Sequence, residues 1–169
     1  MRVVFRRRRG GKLGRRERRL VRDLIFFCAE KFIRPDVRRR ITVEIVLDGK
    51  LYETEKNWGI ASWENDPRCR NFLIEVDTSK RVSTVFNTIA HEMVHIKQWT
   101  NREHWQHKNR EEVYRFGDEV VDAKKLDYWD LPWEIEAHGR AYGLVIQWVD
   151  ARGLRGERWV RTAIDKHAG

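Results

Sequence analysis

Two histidines four residues apart with a glutamate beside the first, His91-Glu92-Met93-Val94-His95, constrain this chain more than any other stretch. On an α-helix, residues i and i+4 share a face about 6 Å apart. Two imidazoles placed that way can grip one Zn²⁺, and the intervening carboxylate can take a proton from an attacking water. The chemistry therefore demands a helix here and a third ligand from elsewhere. The flanking residues predict the helix over Ser83 to about Thr100. Phe86, Ile89, Ala90, Met93 and Ile96 make an apolar stripe at helical spacing, while His91, His95 and Gln98 follow at i, i+4, i+7 on a neighbouring face.

Helical geometry also sorts the candidates for a third ligand. After His95 these are His104, His107, Glu134, Glu136 and His138. His104 and His107 follow too closely for a second helix and read as exposed residues of a polar turn. A long helix is predicted from about Leu131 to Ala151, with Asp130 as its cap and Pro132 in its first turn. Glu134 and Glu136, two residues apart, point about 200° away from each other on it. Glu134 continues through Ala137, His138, Ala141, Val145 and Trp148, the apolar stripe. Glu136 continues through Arg140, Gly143 and Gln147, a polar face on which Glu136 and Arg140 form an i,i+4 ion pair. A carboxylate on a buried stripe needs a partner, so Glu134 is the expected ligand.

The remaining chain reads as one domain of α+β class. A helix is expected over about Arg16–Ile33, stopped at Arg34-Pro35 because the residue before proline leaves the α region. Ile41–Leu47 alternates as a strand, and Asp48-Gly49 signals a turn into a second extended segment near Leu51–Thr54. Ile60–Trp63 and Asn71–Asp77 read as further strands, residues 101–130 as mixed and irregular, and Trp159–Lys166 as a short helix. Among the tryptophans, Trp99, Trp129, Trp133 and Trp148 cluster in sequence around the two metal-bearing helices and are expected to wall the site. Cys28 lies in an apolar run and neither it nor Cys69 has a CxxC partner, which favours a reduced, intracellular setting over a cysteine zinc site. No apolar run approaches the roughly 18 residues of a membrane span, and no apolar stretch follows the basic start as a secretory signal requires.

Charge is distributed unevenly. The formal net charge is +9, yet residues 1–22 hold 11 Lys/Arg and a single acid, Glu17. The expected organisation is a basic flexible arm over residues 1–16 and a single domain over 17–169. Such an arm is suited either to nonspecific contact with nucleic acid or to solubility alone.

His91–His95 followed by Glu134-Ile135-Glu136-Ala137-His138 resembles the gluzincin pattern, in which HExxH lies on one helix and a Glu ligand on a later one. The strings Ile89–Gln98 and Tyr128–Ala137 are similar to small, uncharacterised zincin-like proteins of bacteriophages, and the resemblance covers roughly residues 40–150. It implies a minimal zincin: a small, twisted, mostly antiparallel sheet packed on the HExxH helix and a second, Glu-bearing helix. It also implies a peptide substrate held along an edge strand, here assigned to Phe72–Asp77, with one zinc on His91, His95 and Glu134. Gluzincins often carry an acidic or amide residue four positions past the ligand Glu; here that position is His138, which can accept a hydrogen bond when neutral or contact substrate.

The expected activity is that of a zinc metallopeptidase with Glu92 as general base. His138 and Tyr142 are candidates to stabilise the oxyanion, with Tyr128 and Tyr114 competing. The alternative is a nucleic-acid- or virion-associated zinc protein, structural or degenerate, tethered by its arm in the cytoplasm or virion.

Overall fold

The computed structural model describes residues 1–63, 70–107 and 110–160. In chain order the elements are β1 (Arg2–Arg8), α1 (Arg15–Phe32), α2 (Pro35–Arg38), β2 (Thr42–Asp48), α3 (Leu51–Glu55), β3 (Gly59–Trp63), β4 (Asn71–Asp77) and α4 (Val82–Thr100). Then come β5 (His104–Gln106), β6 (Val113–Phe116), β7 (Glu119–Asp122), two single 3₁₀ turns at Ala123–Lys125 and Tyr128–Asp130, and α5 (Pro132–Ala151). The class is α+β, as expected.

β1, β2, β4 and β3 form a four-stranded sheet in that order. β1 pairs parallel with β2 and β2 parallel with β4, whereas β3 runs antiparallel to β4. The expectation of a mostly antiparallel sheet is therefore corrected: two of three pairings are parallel. The reason lies in the connections. β1 returns to β2 through α1 and α2, and β2 leaves through α3 before β3 comes back along β4. The segment near Leu51 is accordingly a helix rather than the second arm of a hairpin. Asp77 anchors it by accepting a hydrogen bond from the Tyr52 amide at 2.8 Å.

The basic arm is corrected as well. Arg2–Arg8 is a strand, in register with β2 from Arg2↔Thr42 to Arg8↔Asp48. Its alternation explains why an arginine-rich segment can do this. Val3 and Phe5 pack against the core, while Arg6 and Arg8 turn to the other face. There Arg6 pairs with Glu44 at 2.7 Å, and Arg8 with Asp48 at 2.7 Å and Glu75 at 2.5 Å.

The core lies on the helical side of the sheet. Val43, Ile45 and Leu47 of β2 and Phe72, Ile74 and Val76 of β4 are buried against Val21, Leu24, Ile25 and Cys28 of α1 and Phe86, Ile89, Ala90 and Met93 of α4. α5 closes the layer with Ala137, Ala141, Leu144 and Trp148. Trp148 meets Phe86 edge-on at 5.2 Å and donates its indole N–H to Asp23 of α1 at 2.7 Å. The small residues Ala137 and Ala141 allow α5 to approach α4 closely, which brings the two candidate ligand faces together.

The helix boundaries expected from sequence are met within a residue or so, but Asp130 does not cap α5: Leu131 holds that position without a side-chain hydrogen bond. Residues 101–130 are more ordered than their composition indicates, since β5, β6 and β7 form a small antiparallel sheet. Most of the helix expected at 159–166, and Cys69, lie outside the described residues. No helix of the described residues is long and apolar enough to cross a membrane.

Candidate metal centre

α4 and α5 face each other across a cavity of about 260 Å³ lined by His91, Glu92, His95, Glu134, Tyr128 and the β3 backbone at Gly59–Ala61 among others. Three of the expected ligand atoms converge there. His91 Nε2 lies 3.1 Å from His95 Nε2. Glu134 places Oε2 at 3.3 Å from His91 Nε2 and Oε1 at 3.4 Å from His95 Nε2. Zinc bonds of 2.0–2.1 Å in tetrahedral array set ligand atoms about 3.4 Å apart. The residues present therefore fit a zinc ion in both donor type and spacing. A second triple, His91, Glu134 and His138, has ligand atoms within 4.8 Å of one another. It is looser, and His138 is exposed where His95 is buried. The first triple is the tighter of the two.

Two of these candidate ligands are oriented by neighbouring side chains. The His95 Nδ1–H donates to Gln98 Oε1 at 2.9 Å, which turns the Nε2 lone pair towards the cavity. The Gln98 amide in turn donates to the Trp133 carbonyl at 2.9 Å and to Glu136 at 3.1 Å. Glu136 also pairs with Lys97 at 2.7 Å and, as expected, with Arg140 at 2.8 Å. Tyr128 donates its hydroxyl to Glu134 Oε2 at 2.6 Å. Burial pushes the Glu134 carboxyl up, but the His91, His95 and Tyr128 contacts outweigh it and hold it far below the usual range. Burial and the same hydrogen bond to Glu134 raise the Tyr128 phenol well above its ordinary value, so it stays a donor.

Glu92 sits beside this triad and is buried. Burial raises its pKa, an effect only partly offset by His95, His91 and a hydrogen bond from the Ala61 backbone. The space it occupies depends on Gly59. A Cβ there would lie 2.7 Å from Glu92 Oε1 and collide with the Thr88 methyl. β3 thus has a glycine where the motif helix comes closest.

The structure also locates the other expected residues. His138 stands at the rim, its ring 4.4 Å from that of His91 and its Nε2 3.4 Å from the Tyr128 hydroxyl. Tyr142 is exposed on α5 and does not line the cavity; Tyr128 presents the hydroxyl there instead. Trp99 and Trp133 wall the cavity, whereas Trp129 is 69% exposed and Trp148 belongs to the core. Phe72–Asp77, assigned as the edge strand, is internal to the sheet. β3 is the edge strand beside it and β1 the other edge, because strand order is set by connections that no local pattern encodes.

Two residues of the site escape the sequence reading. Gln98 was visible at i+7 from His91, but its partner on α5 was not. His104, read as an exposed turn residue, is buried and stacked on Trp133 at 4.3 Å. Burial pushes its imidazole down to about 4, so it is neutral, and neither ring nitrogen has a hydrogen-bond partner. It lines both the ligand cavity and an adjoining one of about 470 Å³ bounded by Trp63, Trp99, Tyr114, Leu131 and Trp133. Comparison with models of protein families, with curated proteins and with solved structures finds no match to this chain.

Proposed function

We propose that this protein is a zinc-dependent metallopeptidase of gluzincin-like design. The observation that carries the reading is the convergence of His91 Nε2, His95 Nε2 and Glu134 within 3.1–3.4 Å, with the buried Glu92 carboxylate beside them. His91, His95 and Glu134 would hold the ion, which when bound supplies Lewis-acid polarisation of a carbonyl and acidifies water.

The chain's own groups account for the rest. Glu92 takes a proton from the water that attacks the peptide carbonyl carbon, and returns it to the nitrogen as the C–N bond breaks. Its place in the cavity beside both imidazoles suits a group that must accept and release that proton. Tyr128 keeps its proton and donates it in a hydrogen bond to Glu134 Oε2, which orients that carboxylate in the cavity. The free edge of β3 runs past both cavities through Gly59–Trp63, so an extended peptide adds to it as a further strand. The aromatic second cavity then takes a large apolar side chain of that peptide.

The test uses zinc content and hydrolysis of a peptide library by the full chain. Glu134→Ala is expected to lose stoichiometric zinc. Glu92→Gln is expected to keep zinc and lose hydrolysis by about 10²–10⁴-fold. Full zinc occupancy in Glu134→Ala would overturn the ligand set, and undiminished hydrolysis by Glu92→Gln would overturn the mechanism.

A further inference from the structure

The ten arginines of residues 1–22 fall into two groups once folded. Arg6, Arg8, Arg9 and Arg16 have carboxylate partners: Glu44, Asp48 with Glu75, Asp48, and Glu157 respectively. Arg2, Arg7, Arg15, Arg18, Arg19 and Arg22 have none among the described residues, and all but the half-buried Arg18 are exposed. Four of these six are not scattered. Arg15, Arg18, Arg19 and Arg22 fall at i, i+3, i+4, i+7, a single stripe along α1 about 10 Å long. Arg22 sets its guanidinium over the Phe5 ring at 5.5 Å, which places the stripe on the flank of α1 that meets β1. Arg16 and Asp23 lie on the other flank, where Asp23 binds Trp148 and Arg152 of α5. Arg7, on the same strand face as Val3 and Phe5, therefore lies on the side of the sheet that carries the α1 stripe, whereas Arg2 lies on the opposite face with Arg6 and Arg8.

We infer that this arginine surface, formed by β1 and the flank of α1 beside it, binds the phosphate backbone of nucleic acid. Charged residues on an outer strand also serve to block edge-to-edge pairing, which accounts for Arg2 and Arg7. It does not account for the α1 stripe, which lies on no edge. The choice of residue points to phosphate. Ten of the eleven cations in residues 1–22 are arginine, whose planar fork matches phosphate oxygens in pairs. A membrane surface is disfavoured because none of the exposed large hydrophobic residues falls within residues 1–40, leaving nothing to insert between lipids. Presented on a strand and a helix, these arginines have their backbone fixed before binding, unlike those of a flexible tail. The inference stands independently of the metal centre.

The experiment measures fluorescence anisotropy of a labelled 20-base-pair duplex of mixed sequence (about two helical turns) with the full chain, across a range of NaCl concentrations. Wild type is expected to bind at low salt, with log K falling linearly against log salt. Replacing Arg15, Arg18, Arg19 and Arg22 by Gln is expected to weaken binding at least tenfold and flatten the slope by about 3–4. Replacing Lys50, Lys56, Arg110 and Arg115 by Gln removes equal charge elsewhere and is expected to change affinity less than about twofold if the charge is read locally. Should the first variant fail to fold, Arg19→Glu, a single exposed site, is expected to weaken binding several-fold. The inference is overturned by absence of duplex binding in wild type, by equal loss in the two four-fold variants, by an unchanged Arg19→Glu, or by association with phosphatidylserine vesicles but not with duplex.

Discussion

Among the described residues, buried carboxylates occur at two places, and they are handled in opposite ways. Asp48 and Asp77 close the ends of β2 and β4. Asp48 accepts hydrogen bonds from Arg8, Arg9 and the Lys50 amide. Asp77 accepts them from the Tyr52 amide and from Ser79, amide and hydroxyl. All of those donors are the chain's own, fixed by nearby backbone, and the result is a joint. Glu92 and Glu134 are also buried, yet Glu134 faces two imidazole nitrogens that crowd one another at 3.1 Å as well as the Tyr128 hydroxyl, and the groups that favour the Glu92 carboxylate are the same two imidazoles more than the Ala61 backbone. Burial of an acid does not by itself mark a functional centre. The mark is a set of electron-pair donors aimed at a common point.

That contrast can be broken or sharpened by substitution, most strongly at Gly59. Gly59→Val forces a side chain into the volume of Glu92 and Thr88. Peptide hydrolysis should fall about 10²-fold or more while zinc stays bound, since Gly59 touches the base and not the ligands. Parallel loss of zinc would show that β3 shapes the whole centre. Next comes Gln98→Ala, which frees His95 Nδ1. Chelator competition should report zinc affinity reduced about 10–100-fold, the usual cost of removing a partner behind a metal-binding imidazole.

At the joint, Asp48→Asn should leave zinc affinity unaltered and lower stability by about 1–3 kcal/mol in urea denaturation. The smallest effect is one of pH. Burial raises the Asp48 pKa, but hydrogen bonds from Arg9, the Lys50 amide and Arg8 outweigh it and hold it at about 2, against 3.8 ordinarily. A carboxyl whose folded pKa is depressed contributes stability above its unfolded value, and loses it as pH falls towards the folded value. The difference in melting temperature between wild type and Asp48→Asn should therefore be constant above about pH 4 and shrink between pH 4 and 2. A difference independent of pH over that window would remove the ion pairs as its cause.

The same two regions show what can be read from sequence. The faces of α4 and α5 were legible because helical periodicity is local. It placed His91 and His95 on one side and set Glu134 apart from Glu136, and in the structure both Nε2 atoms and the Glu134 carboxylate lie within 3.4 Å of one another. β4 was legible from its apolar alternation at Asn71–Asp77. Its position inside the sheet was not, because strand order depends on which distant segments pair. β1 was hidden by its composition. Val3, Val4 and Phe5 are only three apolar residues among arginines, and the carboxylates that neutralise Arg6, Arg8 and Arg9 lie about forty residues on. His104 lies hidden for a similar reason: besides the nearby Trp99, its burial comes from Tyr114 on β6 and Trp133 on α5.

Gln98 ties the orientation of one imidazole to the seating of a helix. Its amide holds His95 with one end and the start of α5 with the other, through the Trp133 carbonyl and Glu136. α5 in turn carries Glu134. Sliding the two helices apart thus removes the carboxylate and releases the imidazole in one movement. The residues that would grip an ion there also latch the two helices to each other.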